Sequence, residues 1–413
     1  MKDLFVKNRN AMGERMINGD VMVLFTGEAP RSTADAHYNY MPNKNFYYFT
    51  GLIQENFTFA MTKINDKVEP ILFIEKPNYD IEKWMGRKLR TEKAKELSGI
   101  ENIKFVENFK SWLNGMIQTS KVERIFIDLE KQSWDADDSH AMMFAKEFAN
   151  KYVHVQIKSI HKDVSELRVI KSDQEIEMIR NAVNLTKLGL ENLMKNLKPG
   201  MFEYQAEALF DFGIHYNGAH ENAFPTIAAS GEDAVILHYV ENDKQIPDDS
   251  LILMDLGAGY HNYASDITRT YPVSGKYTDR QKELYNIVLK AQVATIEAMK
   301  PGLGYAELNN TCKAVLIEEC KKIGLIENDD EISKYYYHGV SHYMGLDVHD
   351  LGSRDAKLAP GMILTVEPGL YIAEEGIGIR IEDDILITEN GHENLSKDII
   401  KTVEDIEAFM AKA

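Results

Sequence analysis

The feature that most constrains the fold is an internal repeat in the second half of the chain. Leu197–Gly200 reads Leu-Lys-Pro-Gly, and Met299–Gly302 reads Met-Lys-Pro-Gly 102 positions later. Because proline followed by glycine ends a helix, a new helix is predicted after each breaker, over Tyr204–Phe212 and over Tyr305–Ile323. A chain that repeats its elements in the same order is expected to form two similar halves around a shared seam.

Each half continues with an apolar run that predicts a buried strand. The two runs are Ser250–Gly257 and Gly361–Gly369. Each run includes a carboxylate near its end, and a second carboxylate follows in the next predicted strand. The four residues are Asp255, Asp266, Glu367 and Glu382. Matching carboxylates from two half-domains predict a pseudo-twofold site at the seam.

The two-residue period of a strand decides which of these side chains share a face. Asp266 is expected on the same face as Thr268 and Thr270. In the predicted strand Ile377–Glu382, the isoleucines take one face, whereas Arg380 and Glu382 take the other. Arg380 and Glu382 are therefore predicted to point into the same space, opposite an apolar layer.

Four clustered carboxylates repel one another at low dielectric unless their charge is neutralised. Two divalent cations would cancel the four negative charges. With one added histidine, the donor set is hard and rich in oxygen, which suits Mn²⁺ better than structural Zn²⁺. Two adjacent metal ions are a hydrolytic device. The sequence therefore predicts a dinuclear metal hydrolase.

The histidine ligand is expected within His338–His349, a stretch that contains three histidines in twelve residues. Its His-x-x-x-His spacing resembles that of zincins, but those enzymes need a glutamate after the first histidine. Gly339 occupies that position, so a zincin site is excluded. His238 is the further candidate for the site.

The first half of the chain predicts a separate α/β domain without a catalytic cluster. Short apolar runs predict strands at Val21–Phe25, Ile71–Ile74 and Ile125–Ile127, and a helix is predicted over Ile81–Leu97. A capping box at Ser172–Glu175 begins a long helix near the domain boundary. The predicted domains are residues 1–163 and residues 164–413.

Charge and cysteine content restrict the partners and the compartment. Lysine and arginine number 47 against 65 aspartates and glutamates, a net charge of −18. Such an acidic chain is not expected to bind nucleic acid or an anionic membrane. The two cysteines, Cys312 and Cys320, are expected to be reduced and structural. With neither an apolar leader at the start nor a membrane-length apolar run, a cytoplasmic protein is predicted.

Together these motifs resemble the Xaa-Pro aminopeptidases (aminopeptidase P) of the pita-bread metallopeptidase group. The resemblance covers nearly the whole chain and is strongest in five segments: Ser230–Tyr239, Asp255–Thr270, His338–His342, Val366–Gly369 and Gly378–Asp384. It implies an α/β N-terminal domain plus an α+β pita-bread C-terminal catalytic domain with pseudo-twofold symmetry. It also implies two Mn²⁺ ions per subunit, peptide substrates with proline in second position, and a homodimer or higher homo-oligomer.

By that resemblance the metal ligands are Asp255, Asp266, His342, Glu367 and Glu382. Asp266 and Glu382 would bridge both ions, Asp255 would bind one ion, and His342 and Glu367 would bind the other. A hydroxide shared by the two ions would attack the peptide carbonyl.

The resemblance also implies catalytic and substrate-binding roles. Glu367 would take the proton of the attacking water and pass it to the leaving proline nitrogen. His349 would hydrogen-bond the tetrahedral oxyanion. His238, His338 and Arg380 would line the pocket that holds the proline and its carbonyl.

Two alternatives stay open at this point. A prolidase would cleave only Xaa-Pro dipeptides, and a catalytically silent relative would bind peptides without cleaving them. Creatinase is excluded because it lacks the metal ligands, and methionine aminopeptidase is disfavoured because it lacks the N-terminal domain.

Overall fold

A computed structural model describes residues 1–119, 122–131 and 133–412 of the chain. These residues divide into two compact units, Met1–Leu167 and Arg168–Ala413. The predicted boundary after residue 163 lies inside the helix His161–Arg168, and the division into domains 1–163 and 164–413 stays a prediction. In the described residues, no helix is both long enough and apolar enough to cross a membrane.

The first unit contains a six-stranded mixed sheet. Its helices are α1 Lys2–Arg15, α2 Lys44–Thr50, α3 Tyr79–Met85, α4 Thr91–Ser98, α5 Phe109–Thr119, α6 His140–Lys151 and α7 His161–Arg168. Its strands are β1 Asp20–Phe25, β2 Thr58–Ile64, β3 Lys67–Ile74, β4 Asn102–Phe105, β5 Arg124–Ile127 and β6 Gln156–Ser159. The strand order is β4-β3-β2-β1-β5-β6. The predicted α/β character is confirmed, and the three predicted strands are β1, β3 and β5.

The predicted helix over Ile81–Leu97 is wrong as a single element. The structure has two helices there, α3 and α4, separated by residues 86–90. Gly86 ends α3 with φ at +86°, a backbone conformation that glycine adopts without steric cost. Arg90 and Glu82 form a paired hydrogen bond across this break, with Nη2 to Oε2 at 2.7 Å.

The second unit consists of two similar halves followed by a final helix. Its helices are α8 Asp173–Asn196, α9 Glu203–Tyr216, α10 Asp279–Ala298, α11 Tyr305–Lys322 and α12 Val403–Met410. Its strands are β7 Ile227–Ser230, β8 Leu251–Leu256, β9 Gly259–Tyr260, β10 Tyr263–Ala264, β11 Ile267–Pro272, β12 Ile363–Val366, β13 Gly369–Ile372, β14 Ile377–Arg380, β15 Asp383–Thr388 and β16 Gly391–Asn394. Each half supplies two helices, a three-stranded sheet and a two-stranded hairpin. This is the predicted pseudo-twofold α+β architecture.

The strand predicted over Ile377–Glu382 ends earlier than expected. Strand β14 stops at Arg380 and pairs with β13, whereas β15 starts at Asp383 and pairs with β12 and β16. Glu382 lies in the break between these two pairings. Its backbone N–H donates instead to the carbonyl of Thr268 in β11 at 3.0 Å. At Glu382 the second half of the unit therefore contacts β11 of the first half.

Candidate metal centre

Equivalent strands of the two halves place the four carboxylates. Asp255 lies in β8, near its end, and Glu367 directly follows β12. A hairpin comes next in each half, β9–β10 in one and β13–β14 in the other. Asp266 then directly precedes β11, and Glu382 directly precedes β15. The repeated order of strand, carboxylate, hairpin, carboxylate and strand brings the four side chains to one cavity.

Three residues form the tightest group in this cavity. Asp266, His342 and Glu382 each offer one ligand atom, and these atoms all lie within 4.8 Å of one another. His342 Nε2 lies 3.3 Å from Asp266 Oδ2 and 4.0 Å from Glu382 Oε1. Glu367 Oε1 is 3.8 Å from the same nitrogen. Asp255 lies outside this group, although it lines the same cavity.

Burial and mutual repulsion raise the pKa values of these carboxyl groups. Burial raises the pKa of Asp266 well above its ordinary value, and the charges of Glu382 and Asp255 raise it further. Burial and the charge of Glu382 likewise raise the pKa of Glu367 well above its ordinary value. For Glu382, burial and Asp255 raise the pKa to about 7. A positive charge among these oxygens would relieve the repulsion and keep the groups ionised.

Two buried carboxylate oxygens indicate whether a metal ion fits among these side chains. Asp255 Oδ1 and Glu382 Oε1 are buried and have no hydrogen-bond partner among the described residues. A buried polar atom without a partner is costly, and a cation would satisfy both oxygens. Together, four carboxylates and one imidazole form a hard, oxygen-rich donor set that suits a divalent cation. The residues therefore fit a divalent metal ion.

The backbone fixes which nitrogen of His342 faces the carboxylates. His342 Nδ1 lies 3.1 Å from the carbonyl of Tyr343. Because a carbonyl only accepts hydrogen bonds, Nδ1 carries a proton, and Nε2 is the nitrogen that faces Asp266 and Glu367. A second hydrogen bond of this kind commonly orients metal-binding histidines.

Arg380 is held firmly beside the acidic cluster. Its guanidinium donates to Asp255 Oδ2 at 2.7 Å, to the Tyr371 hydroxyl at 2.9 Å and to Thr268 Oγ1 at 3.2 Å. The Thr268 hydroxyl in turn donates to Glu382 Oε2 at 2.6 Å. Arg380 and Glu382 thus reach the same space, as predicted, although Arg380 ends β14 and Glu382 lies in the break that follows it. The pairing of Arg380 with Asp255 was not predicted.

The remaining candidate histidines line the same cavity but differ in their surroundings. His338 Nδ1 lies 2.8 Å from the carbonyl of Gly339, and its Nε2 lies 2.8 Å from the Tyr371 hydroxyl. Burial lowers the pKa of His338 to about 4. Burial, together with His342, also lowers the pKa of His349 to about 4. Both rings are therefore neutral near pH 7.

A layer of buried polar residues behind the carboxylates was missed by the sequence analysis. Arg269 is 0% exposed and donates to the Glu382 carbonyl at 2.6 Å and to Asp383 Oδ1 at 2.7 Å. Asp384 Oδ2 accepts the backbone N–H of Asp266 at 3.1 Å. These residues fix the backbone on both sides of the seam. The charged run in Glu382–Asp384 was visible in the sequence, but nothing there distinguished outward from inward carboxylates.

The cavity has a volume of about 690 Å³. Beyond the polar cluster, its wall includes apolar side chains. They are Phe224, Pro225, Ile227, Leu237, Val240 and Val348. A pocket of this size, apolar over part of its wall and carboxylate-rich at one place, can hold a short peptide.

Comparison with known proteins identifies the family. Residues 177–389 match the family described as "Metallopeptidase family M24". The chain belongs to metallopeptidase family M24. A divalent metal cofactor and peptide-bond hydrolysis are properties of this family, so the protein is a metallopeptidase. Residues 5–126 match a second family, "Aminopeptidase P, N-terminal domain".

Individual members of the M24 family resemble this chain over its whole length. The Xaa-Pro aminopeptidase of Escherichia coli K12 is 35% identical, with 99% of this chain and 98% of the relative covered. The Xaa-Pro dipeptidase of Rattus norvegicus is 29% identical over 99% of this chain and 93% of the relative. A Bacillus anthracis structure, provisionally assigned as an aminopeptidase P, superimposes with a TM-score of 0.98. The two sequences are 47% identical, and the superposition covers 100% of this chain and 98% of the Bacillus anthracis chain. The resemblance stated from the motifs is confirmed.

Proposed function

We propose that this M24 metallopeptidase releases the first residue from peptides that carry proline in second position, using two Mn²⁺ ions. The observation that carries the proposal is the group formed by Asp266, His342 and Glu382, with two further carboxylates in the same cavity. The relative with 35% identity bears the corresponding activity in its name. We propose Asp255, Asp266, His342, Glu367 and Glu382 as the ligands.

A prolyl bond explains why a dedicated site is needed. Its nitrogen belongs to a tertiary amide and has no N–H. A peptidase that grips its substrate through this N–H cannot bind a prolyl bond productively. The apolar wall of the cavity supplies a surface for the pyrrolidine ring, and neither that contact nor the carboxylate cluster requires an amide hydrogen.

The side chains divide the chemistry between them. When bound, the divalent ions would activate a water molecule for attack on the peptide carbonyl. Glu367, with one oxygen 3.8 Å from His342 Nε2, would accept the proton of that water and deliver it to the departing proline nitrogen. His349 is neutral and can donate one N–H to the developing oxyanion. The ring centroids of His342 and His349 are 4.2 Å apart, which places this donor beside the ligand group.

The substrate-binding roles go to three residues at the cavity. His238, His338 and Arg380 line it together. Both His338 nitrogens and the Arg380 guanidinium already have protein partners. His238 therefore offers the freest polar group of the three for a substrate carbonyl.

The prolidase alternative has less support than the aminopeptidase. The dipeptidase relative is 29% identical to this chain, against 35% for the aminopeptidase. A silent peptide-binding protein would have no need for four clustered carboxylates, two of which, Asp255 and Glu382, each have a buried oxygen without a hydrogen-bond partner among the described residues. We further propose a cytoplasmic enzyme that forms a homodimer or a higher homo-oligomer and binds neither nucleic acid nor membranes. Its two buried free cysteines agree with a reducing compartment.

Removal of divalent metal is expected to abolish hydrolysis of an Xaa-Pro-Xaa peptide. The repulsion among the buried carboxylates is then unrelieved, and no ion is present to activate water. We expect added Mn²⁺ to restore the rate more fully than Zn²⁺, with two ions bound per chain at full activity. Chelation followed by metal titration, with the bound ions counted by elemental analysis, measures this. Full activity in a metal-free preparation would contradict the proposal.

A further inference from the structure

Glu203 is a buried carboxylate that the proposed chemistry does not use. It is the first residue of α9 and is 0% exposed. Four donors surround it: the Ser230 backbone N–H at 2.9 Å, the Ser230 hydroxyl at 2.7 Å, the Tyr239 hydroxyl at 2.8 Å and the Lys244 N–H at 3.1 Å. All four donors belong to one stretch of chain, residues 230–244. A single carboxylate therefore accepts hydrogen bonds from the beginning, the middle and the end of this stretch.

The stretch 230–244 carries His238 to the cavity. His238 directly precedes Tyr239, the residue that reaches Glu203 by its side chain. Among the residues that the structure describes, none forms a hydrogen bond with the His238 ring. The direction of the imidazole thus depends on how the backbone around it is held, and the bond from Tyr239 to Glu203 is the nearest side-chain anchor.

The two ends of the stretch have other supports. At the beginning, a Cβ added to Gly378 of β14 would lie 1.9 Å from the carbonyl oxygen of Ala234, so this part packs directly on the strand that carries Arg380. At the end, the Asn242 amide accepts from the Ala228 N–H at 3.0 Å and donates to the Thr226 carbonyl at 2.8 Å. Residues 236–240 lie between these supports. The Tyr239 ring packs in a buried cluster with Ile227 and Leu253, and its hydroxyl donates to Glu203.

We propose that Glu203 is a positioning residue that fixes His238 for substrate binding, acting through the Tyr239 hydroxyl. The inference rests on the proposed function, because it takes His238 as a substrate contact. Hydrogen bonds to an ionised acceptor are stronger than neutral ones, and a carboxylate can accept on both oxygens. A glutamine cannot reproduce this arrangement, because its NH₂ group would face a donor on one side.

A matched carboxylate elsewhere in the same unit provides the control. Glu175 is 2% exposed at the start of α8 and accepts from the Ser172 N–H at 2.8 Å and from the Tyr263 hydroxyl at 3.0 Å. It makes no contact with residues 230–244 among its described hydrogen bonds. Tyr239→Phe and Tyr263→Phe therefore remove the same kind of bond, and only the first acts next to His238.

The test is a double-mutant cycle on the full-length, Mn²⁺-loaded enzyme. Displacement of a catalytic or binding group by about 1 Å can lower the rate ~10²-fold. We therefore expect Tyr239→Phe to lower kcat/KM for an Xaa-Pro-Xaa peptide by about 10-fold to 100-fold. In a His238→Ala background the same change should have almost no effect, because the group it positions is gone. Tyr263→Phe should leave kcat/KM nearly unchanged in both backgrounds. Equal losses from Tyr239→Phe in both backgrounds would overturn the inference. Glu203→Gln should reproduce Tyr239→Phe, and the cycle is decided by Tyr239→Phe if Glu203→Gln does not fold.

A second readout does not depend on turnover. In enzyme loaded with diamagnetic Zn²⁺ and labelled at histidine, the His238 ring resonances should shift or broaden in Tyr239→Phe and stay unchanged in Tyr263→Phe. Unchanged His238 resonances in Tyr239→Phe would overturn the inference whatever the enzyme cleaves. Changed resonances in a protein that hydrolyses no prolyl peptide would instead overturn the proposed function and leave the positioning of His238 supported.

Discussion

Replacement of Glu382 by glutamine is expected to remove bound metal and activity together. The substitution keeps the size of the side chain and a partner for the Thr268 hydroxyl, which lies 2.6 Å from Glu382 Oε2. It removes the negative charge from the carboxylate whose Oε1 is buried without a hydrogen-bond partner. Because we propose Glu382 as a ligand of both ions, its loss should weaken the whole centre. The expected fall in kcat/KM is on the order of 10³-fold or more, the scale of losing an essential catalytic group.

The matched variant is His349→Ala, which removes a proposed transition-state contact and leaves the proposed ligands in place. Loss of one oxyanion donor typically costs ~10²–10³ in kcat. We expect this variant to retain two metal ions and a nearly unchanged KM. Elemental analysis beside steady-state kinetics separates the two cases. Loss of metal from His349→Ala would refute its assigned role, and a Glu382→Gln enzyme with two ions and full rate would refute the ligand assignment.

The second large effect is expected on stability, at a buried charge cluster next to His349. Asp350 has a side chain 1% exposed and accepts from Lys171 Nζ at 3.1 Å and from the Arg168 guanidinium. The side chains of Lys171 and Arg168 are 1% and 3% exposed. Asp350→Asn would leave the lysine buried without a counter-charge. Breaking a buried pair in this way costs about 3–5 kcal/mol, which should appear as a lower urea midpoint at pH 7.

The pH dependence of this effect follows from the pKa of Asp350. Burial alone would raise that pKa, but the charges of Arg168 and Lys171 outweigh burial and hold it below its ordinary value. A group whose pKa is depressed in the folded state stabilises the fold above its unfolded pKa of about 3.9 and loses that contribution as the pH falls through the folded value. The difference in stability between wild type and Asp350→Asn should therefore shrink below about pH 4.

Asp347→Asn serves as the control for this comparison. Asp347 bonds the same arginine, with Arg168 Nη2 at 2.6 Å from its Oδ2, but its side chain is 41% exposed. A pair with one partner in solvent is worth about 0–1 kcal/mol. An equal loss of stability in the two variants, or a difference that grows as the pH falls, would contradict the account of Asp350.

The sequence predicted the parts of the site that depend on repetition and local pattern. Two Lys-Pro-Gly breakers and two apolar runs predicted the half-domains, because helix ends and buried strands leave short-range marks in composition. The strand over Ile377–Glu382 was predicted too long because its apolar alternation continues past Arg380. The strand pairing changes where the Glu382 N–H donates to the Thr268 carbonyl. A change of strand partner leaves no pattern in the local sequence.

The supporting contacts could not be predicted for the same reason. Arg380 with Asp255, Arg269 with the Glu382 carbonyl, and Glu203 with Tyr239 are separated by 125, 113 and 36 positions. Each joins a buried charge to a partner that only the folded topology brings near. In the sequence, such residues look like ordinary surface charges, because arginine and glutamate are mostly exposed.

The most direct test of the proposed function is the rate at which the Mn²⁺-loaded enzyme releases the first residue from three matched peptides. The peptides are Xaa-Pro-Xaa, Xaa-Ala-Xaa and the dipeptide Xaa-Pro, with the same first residue in each. The account predicts rapid release from Xaa-Pro-Xaa and none from Xaa-Ala-Xaa. Turnover of the dipeptide alone would make the protein a prolidase, and equal rates on the proline and alanine tripeptides, or no hydrolysis of any peptide, would contradict the proposed function.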